Sequence, residues 1–372
     1  MDGKSRLIAG AMSGTSADGV DVALVRVEGR GLQMSVCLLH EHHRAYPAQL
    51  RESIGKIRRD GAAPLAVLAE MGREISLCHA AAVNEALLAA NFGAGALDAV
   101  AAHGQTIFHE PPNTIQWLDP SLVAAEVGAV VVSDFRRADC AAGGQGAPLV
   151  PLADYLLFRD DKKNRLMLNL GGIANVTFLR AGGTIEETIA FDTGPANCVS
   201  DFLCRDLDPP IDLNGEQAGE GRSIEEMVKR VLAAEYFSKP PPKSTDGPGM
   251  IELFVTAGES NTRHRLEDLL RSACEVGAEA VARAAREFLP GPADEVIASG
   301  GGTKNLTLMR LLAERLGMEI RTVDEFGIPS SAKEAIAFAL LGAATLDGLP
   351  GNVPSATGAR RGVVLGSITP KP

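Results

Sequence analysis

The sequence of 372 residues lacks several features that would place it in a common class of protein. Its 6 cysteines form no C-x-x-C pair, which argues against zinc sites and a disulfide framework. No run is long and apolar enough to span a bilayer, and no block of lysine and arginine exceeds two residues against a net charge of −11. We therefore expect a cytoplasmic protein of two domains that binds neither nucleic acid nor membranes.

The common catalytic and phosphate-binding signatures are also missing. The chain contains neither G-x-x-x-x-G-K-[ST] nor G-x-G-x-x-G, and it has no H-E-x-x-H. Candidate sites must therefore be sought among turns rich in glycine and among carboxylates that follow strands.

The turn Gly14 to Asp21 is the most informative segment, because it separates the apolar runs 7–11 and 22–27. This pattern predicts a β-hairpin whose small residues let backbone N–H groups surround an anion. Asp18 and Asp21 would repel a phosphate unless a cation lies between, which indicates a nucleotide phosphate with Mg²⁺. A plain polar turn is the alternative. The candidate residues are Gly14, Thr15, Ser16, Ala17, Asp18, Gly19, Val20 and Asp21.

A second hairpin repeats this design around Gly171 and Gly172, between the apolar runs 166–168 and 176–179. Two such hairpins, each opening a mixed α/β segment, indicate an internal duplication of fold. Further along, Gly300 to Gly302 follow the strand predicted over 295–298. They could seat a flat ring such as adenine, or form a flexible turn.

Asp192 follows the strand predicted over 188–191 and precedes a helix predicted over 198–204. A carboxylate at a strand end beside a helix N-terminus is held rigidly and kept ionised by the helix dipole. Such a group suits a general base acting on water or on a sugar hydroxyl. The alternative is a helix N-cap.

Three further segments hold polar groups near predicted strand ends. Arg136, in the segment 134–139, could hold a carboxylate, although exposed ion pairs are the alternative. The loop 141–148 either faces a ligand or is a flexible connection. His103 follows the strand 99–102 and is typical of a structural histidine. Glu334 lies on the apolar helix predicted over 333–346, where it needs a polar partner or a ligand.

Taken in order, these segments resemble the anhydro-N-acetylmuramic acid kinases, a family of the acetate and sugar kinase/Hsp70/actin superfamily. The matching segments run over nearly the whole chain. They are 12–21, 103–106, 134–137, 142–151, 169–175, 191–197, 241–245, 299–305, 324–329, 333–338 and 350–359.

The resemblance implies an α/β fold with two RNase H-like domains of the actin/sugar-kinase type around a nucleotide cleft. The first domain would be residues 1–134 plus 360–372, and the second 135–359. The resemblance also implies that the protein uses ATP with Mg²⁺ and forms a homodimer. The family's reaction converts 1,6-anhydro-N-acetylmuramic acid, ATP and water to N-acetylmuramic acid 6-phosphate and ADP in peptidoglycan recycling.

Roles for single residues follow from the same resemblance. Asp192 would be the catalytic base, and Asp18 would hold Mg²⁺ directly or through water. ATP would contact Gly14 to Asp21, Gly171, Gly172, Gly300, Gly301, Gly302 and Asn305. The sugar would contact His103, Gln105, Asp134, Arg136, Gly143, Gln145 and Glu334.

Departures from the family pattern leave the identity of the sugar substrate undetermined. They occur at Ala196, Trp117-Leu118, Asn214 and 246–248. Two alternatives therefore stand beside the anhydromuramic acid kinase. One is a kinase for another 1,6-anhydro sugar such as levoglucosan, and the other is a nucleotide-dependent binding protein on the same fold.

Overall fold

The protein is represented by a computed structural model that describes residues 5–14, 16–93, 95–258 and 264–372. It divides into two compact units. Unit 1 comprises Met1–Leu157 with Ser331–Pro372, and unit 2 comprises Phe158–Ser330. The sequence interpretation placed the domain boundaries after residues 134 and 359 instead, and its assignment of functional domains stays a prediction.

The described residues form two sheets with helices packed against them. The strands are β1 Arg6–Ser13, β2 Gly19–Glu28, β3 Ser35–Ala45, β4 Ala99–Glu110, β5 Asn113–Trp117, β6 Val130–Ser133, β7 Arg165–Leu170, β8 Ile173–Leu179, β9 Ile189–Pro195, β10 Glu295–Ser299, β11 Ile320–Thr322 and β12 Ser367–Thr369. The helices are α1 Ala48–Asp60, α2 Leu65–Ala89, α3 Pro120–Val127, α4 Arg137–Ala141, α5 Pro151–Phe158, α6 Cys198–Cys204, α7 Glu216–Glu220, α8 Glu225–Leu232, α9 Glu235–Ser238, α10 Gly247–Gly258, α11 Leu266–Phe288, α12 Leu306–Leu316, α13 Lys333–Leu346 and α14 Pro354–Thr357.

The sheets of the two units share one topology. In unit 1 the order is β3-β2-β1-β4-β6-β12, with β1, β2 and β3 antiparallel and with β4 and β6 parallel to β1. In unit 2 the order is β9-β8-β7-β10-β11, with the same alternation of antiparallel and parallel pairs. Both are the strand order of an RNase H-like domain, so the predicted duplication and the α/β fold class are confirmed.

The sheet of unit 1 is covered by helices on both faces, as the residues of β1 show. Neighbouring residues of a strand point to opposite sides of the sheet. Ala9 and Ala11 join the core formed with α1 and α2. Gly10 faces α13 on the other side, where an added Cβ would lie 1.8 Å from the carbonyl oxygen of Ala335. The absence of a side chain at Gly10 therefore lets α13 pack directly on the sheet.

The sheet of unit 2 buries its leucines against α11 and α12. Leu166, Leu168 and Leu170 alternate along β7 and share a core with Leu270 and Leu311. Burial of such side chains is worth about 1.5–3 kcal/mol each, so this cluster fixes the strand ends that carry the unit's polar groups.

Two predicted elements differ from the structure. A single helical stretch was expected over 251–288. The structure has two helices there: α10 ends at Gly258, and α11 begins at Leu266. The final strand expected over 362–368 is reduced to β12, because Gly366 before it takes a left-handed φ of +81° that interrupts extended pairing. Among the described helices, none has both the length and the apolar character needed to cross a membrane.

Candidate active site

The first candidate phosphate loop joins β1 to β2 in a tight turn. The Ala17 N–H donates to the carbonyl oxygen of Gly14 at 3.2 Å, and Ser16 Oγ donates to Asp18 Oδ1 at 2.9 Å. The Ser16 and Asp18 side chains are exposed, whereas Thr15 lies outside the described residues. The loop thus presents a hydroxyl and a carboxylate to solvent, and its phosphate-binding role stays a prediction.

Gln105 supports this loop from β4. Its Oε1 lies 2.7 Å from Ser13 Oγ, which is also 2.7 Å from the carbonyl oxygen of Gly19. Its Nε2 donates to the carbonyl oxygen of Gly14 at 3.0 Å. Gln105 and Ser13 are both fully buried. A sugar contact by Gln105 would compete with these bonds, and it stays a prediction.

The sequence predicted that His103 lies at a strand end, but it lies within β4. β4 continues to Glu110 because its second half pairs with β5. His103 Nε2 accepts from Arg136 Nε at 3.0 Å, and its Nδ1 lies 2.8 Å from the carbonyl oxygen of Gly104. These partners assign the proton to Nδ1. Burial above all holds the pKa of His103 well below its usual value, so the ring is a neutral acceptor.

Arg136 retains donors after binding His103. Its Nη1 donates to the carbonyl oxygen of Gly146 at 2.7 Å. Burial lowers the pKa of Arg136 to about 10, so the guanidinium stays charged at neutral pH, and the nearby Glu334 carboxylate favours that charge. Among the described residues, none accepts a hydrogen bond from Nη2. An incoming carboxylate could therefore bind across the two terminal nitrogens.

Glu334 lies in the first turn of α13, with its side chain exposed. The surrounding protein nevertheless excludes enough water to raise the pKa of Glu334, and the negative charge of Asp21 adds to this increase. Lys333 beside it forms a buried ion pair with Asp154 at 2.9 Å, which fixes the start of the helix. Glu334 thus offers an acceptor on the first turn of α13, and the Lys333 and Arg136 charges favour its ionised form.

Asp139 is a structural residue of this region to which the sequence analysis gave no role. It is fully buried, and its carboxylate accepts hydrogen bonds from the Gly146 N–H, Asn352 Nδ2 and Thr357 Oγ1, each at 2.7 Å. It thereby ties the loop after α4 to the segment around α14. Asn352 and Thr357 lie 213 and 218 residues away along the chain, and no local pattern signals such a pairing.

The loop held by Asp139 carries two predicted sugar contacts. The Gln145 N–H donates to the carbonyl oxygen of Thr357 at 2.8 Å, while the Gln145 side chain is exposed. Gly143 has a φ of +89°, which suits glycine, and an added Cβ would lie 2.7 Å from Arg360 Nη1. The loop is therefore a shaped segment instead of a flexible connection, and its sugar contacts stay predictions.

Asp134 forms an ion pair with Arg137 at the start of α4. Its Oδ2 lies 3.4 Å from Arg137 Nη1, and the Arg137 side chain is 61% exposed. Partial burial raises the pKa of Asp134, and the Arg137 charge opposes that increase. A sugar contact by Asp134 stays a prediction.

The second candidate phosphate loop, at Gly171 and Gly172, joins β7 to β8 in unit 2. The carbonyl oxygen of Gly172 accepts from the N–H groups of Ala196 and Cys198, each at 3.0 Å, and that of Gly171 accepts from Asn197 at 3.1 Å. The loop is thus anchored to the start of α6. It occupies the same place in the topology of unit 2 as the first loop does in unit 1.

Asp192 lies within a strand and not beside a helix. β9 continues to Pro195, because an extra residue in its pairing with β8 forms a bulge, and α6 begins only at Cys198. The N-cap alternative is therefore wrong, since Asn197 precedes the helix. The expected effect of that helix's dipole on the ionisation of Asp192 is therefore not supported by this geometry.

Burial raises the pKa of Asp192 to about 6, and a hydrogen bond from the Thr245 N–H to Oδ2, at 3.0 Å, opposes the increase. Among the described residues, none donates a hydrogen bond to the other oxygen, Oδ1. No basic side chain of the described residues lies within 4.0 Å of the carboxylate. The group can accept a proton near neutral pH, which is the property that a general base requires.

The candidate nucleoside loop follows β10 and packs on the end of β7. Gly300 has a φ of +89°, and an added Cβ would lie 2.7 Å from the carbonyl oxygen of Leu170. An added Cβ at Gly302 would lie 2.7 Å from the side chain of Leu170. Asn305 Oδ1 accepts from the Leu308 N–H at 2.9 Å and caps α12. Contacts of this loop, including those of Gly301, with a nucleotide stay predictions.

Within the described residues, no group of three or more His, Cys, Asp and Glu side chains could hold a metal ion. Burial above all raises the pKa of Asp21, a contact of 2.7 Å between its Oδ1 and His43 Nδ1 opposes the increase, and the negative charge of Asp18 adds to it. Mg²⁺ is usually held by one or two carboxylates, waters and the substrate phosphates. The exposed Asp18 carboxylate therefore fits Mg²⁺ that arrives with a nucleotide.

The two RNase H-like units, each with a turn of small residues after its first strand, have the architecture of the actin and sugar-kinase type. Comparison with known proteins then identifies the family. The model of the family "Anhydro-N-acetylmuramic acid kinase" matches residues 6–371. The chain belongs to this family, and the kinase assignment made from the sequence is confirmed.

Individual relatives agree with this result. The chain is 41% identical to an anhydro-N-acetylmuramic acid kinase of Bacillus cereus, over 97% of this chain and 98% of the relative. It is also 41% identical to one of Gloeobacter violaceus, over 98% of each. A solved structure of a ROK family glucokinase from Streptomyces griseus aligns with 90% of this chain and 98% of its own at 13% identity. Its TM-score of 0.39 is too low for a functional conclusion.

Proposed function

We propose that this kinase opens the 1,6-anhydro ring of 1,6-anhydro-N-acetylmuramic acid with water and phosphorylates O6 at the expense of ATP. The products would be N-acetylmuramic acid 6-phosphate and ADP, within peptidoglycan recycling. Membership of the family over residues 6–371 supports the reaction. The observation that carries the chemistry is the isolated Asp192 carboxylate, with a pKa of about 6 and an unpartnered Oδ1 among the described residues.

Asp192 acts as the general base. It removes a proton from the water that attacks the anomeric carbon, and the bond from that carbon to O6 breaks. Glycoside hydrolysis usually needs a second carboxyl group to protonate the leaving oxygen. Here O6 takes the γ-phosphoryl group of ATP instead of a proton. One carboxylate therefore suffices.

The sugar is recognised by residues of unit 1. The terminal nitrogens of Arg136 bind the lactyl carboxylate, which levoglucosan lacks. Neutral His103 fixes the guanidinium through its contact at 3.0 Å. Glu334 accepts a hydrogen bond from a sugar hydroxyl, and the loop with Gly143 and Gln145 shapes the pocket that Asp139 holds in place.

The two glycine-containing turns bind ATP. Backbone N–H groups of the first turn and of Gly171 and Gly172 surround the phosphates, while Gly300 to Gly302 and Asn305 border the nucleoside. Asp18 would hold Mg²⁺ directly or through water. When bound, Mg²⁺ supplies positive charge that stabilises phosphoryl transfer.

The assembly and location follow the family pattern. We propose a cytoplasmic location, since ATP is a cytoplasmic substrate and the six cysteines are free thiols, and a homodimer, as the resemblance to the family implies. Sedimentation velocity of the full chain tests the dimer, because a single species at the monomer mass would contradict it.

The decisive experiment measures ADP release by the purified full chain with Mg·ATP and one sugar at a time. The sugars are 1,6-anhydro-N-acetylmuramic acid, levoglucosan and N-acetylmuramic acid. Turnover with the first alone is the expected result. Turnover with levoglucosan instead would keep the mechanism and change the substrate. Silence with all three would contradict the proposal and leave a nucleotide-dependent binding protein.

A further inference from the structure

Lys243 is buried without an acidic partner among the described residues, and the mechanism above gives it no role. The residue is 7% exposed. Its Nζ lies 4.7 Å from the ring centroid of Phe288, 4.9 Å from that of Tyr236 and 5.8 Å from that of Phe191. In the part of the chain that the structure describes, no carboxylate lies within 4.0 Å of this nitrogen. The three rings therefore stabilise the ammonium group by cation–π contacts.

The segment that carries Lys243 has few other anchors. Residues 239–246 form neither a helix nor a strand, between the end of α9 at Ser238 and the start of α10 at Gly247. Ser244, directly after Lys243, is exposed. The caged side chain is therefore the main buried attachment of this stretch.

A closed set of hydrogen bonds links Lys243 to Asp192. Lys243 Nζ donates to the carbonyl oxygen of Tyr236 at 3.2 Å, and the Tyr236 hydroxyl donates to the carbonyl oxygen of Asp192 at 2.7 Å. The Asp192 N–H donates to the carbonyl oxygen of Lys243 at 3.2 Å. Two residues after Lys243, the Thr245 N–H donates to Asp192 Oδ2 at 3.0 Å.

We propose that Lys243 is a positioning residue for Asp192, because its caged ammonium holds the 243–245 segment so that the Thr245 N–H stays directed at Oδ2. Only the activity readout of this inference rests on the proposed function, in which Asp192 is the base. The geometry itself concerns the conformation and ionisation of Asp192.

The expected consequence is a change in the ionisation of Asp192. The Thr245 hydrogen bond favours the charged carboxylate, against burial, which favours the neutral form. Tyr236 is the other titratable group close to it. On the lysine side, Arg283 and Lys239 disfavour the ammonium charge and Glu287 favours it, with burial the main cause that lowers the pKa of Lys243 to about 8.

The test compares Lys243→Met with the wild-type chain. Methionine fills the cage with an unbranched apolar chain but removes the charge and the donor. We expect the acid limb of the kcat profile to move up by about half to one pH unit, which corresponds to the loss of one hydrogen bond. KM for ATP and sugar should change less than about twofold. Lys229→Met, at an exposed lysine of α8, is the matched control and should leave the profile unchanged.

Lys243→Leu is a second variant that removes the charge and the donor with a shorter apolar chain, so it decides the matter if Lys243→Met fails to fold. A folded variant of either kind with the wild-type acid limb would overturn the proposal. A third readout does not depend on turnover. The stability change caused by Asp192→Asn is measured against pH, once in the wild-type chain and once in a chain that also carries Lys243→Met. Its pH dependence reports the pKa of Asp192 in each chain.

The readouts separate the two hypotheses. A shift of this pH dependence in the chain with Lys243→Met supports the positioning role, even if Asp192→Asn retains turnover and thereby removes Asp192 as the base. An unshifted pH dependence contradicts the positioning role while leaving the kinase reaction intact.

Discussion

Replacing Asp192 with asparagine should abolish turnover and stabilise the protein at the same time. Asparagine keeps an acceptor for the Thr245 N–H, which lies 3.0 Å from Oδ2 in the wild type, so the local geometry is preserved. It cannot take a proton from water. We expect kcat to fall by about 10²–10⁴, the usual contribution of a positioned general base, while ATP affinity stays unchanged.

The stability gain follows from the raised pKa of about 6, against an ordinary value of 3.8. A difference of about 2 pH units corresponds to about 3 kcal/mol, which we reduce to about 1–2 kcal/mol because the carboxylate is partly exposed. Below about pH 4 the carboxyl is protonated in both folded and unfolded chains, so it costs nothing. Between about pH 4 and 6 only the unfolded chain ionises, and the cost to the wild type grows until it is complete above about pH 6.

Thermal unfolding of Asp192→Asn at about pH 4 and pH 7, with initial rates of ADP release, measures both effects. The midpoint should rise by about 2–6 °C at pH 7 and hardly at pH 4. Asp201→Asn, at an exposed carboxylate of α6, is the matched control and should keep full activity. Retained turnover in Asp192→Asn would remove Asp192 from the base role. A lowered midpoint at pH 7 would contradict the argument that the folded protein disfavours the ionised form of Asp192.

Three further predictions concern the residues around the site. Arg136→Ala should raise KM for the muramic acid sugar about tenfold or more through loss of a charged hydrogen bond, with KM for ATP unchanged, and equal loss for both substrates would contradict this role. Asp139→Ala should lower the free energy of unfolding by about 3–5 kcal/mol in denaturant titrations, because it leaves three buried donors unpaired. Gly300→Ala should raise KM for ATP or lower the melting midpoint, since its Cβ would lie 2.7 Å from the carbonyl oxygen of Leu170, and a variant identical to wild type in both would show that the backbone there can move.

The parts of the fold that could be predicted are those that depend on local sequence patterns. The helix α13 and the strand β10 were each predicted within two residues, because their apolar patterns are strong. The shared topology of the two units was also predictable, since each begins with a hairpin around a turn of small residues.

The electrostatics of the candidate site could not be predicted from the sequence. Asp192 was expected to be ionised by a helix, yet a bulge prolongs β9 and burial raises its pKa instead. The neutral state of His103 depends above all on burial, to which the charge of Arg136, 33 residues away, adds, and the loop after α4 depends on Asp139. These properties arise from contacts between distant segments, which a local pattern does not encode.

A general base whose pKa is raised by burial works only in a limited range of pH. The contacts of Asp192 show what sets its pKa in this protein. Burial alone would raise the pKa of Asp192 further. The Thr245 N–H opposes this increase with a backbone dipole and adds no net charge beside the reacting water. A lysine paired directly with the carboxylate would lower the pKa far more and weaken the base. Placing the Lys243 charge in an aromatic cage, where it orders the segment without neutralising Asp192, is therefore consistent with a base that must stay reactive.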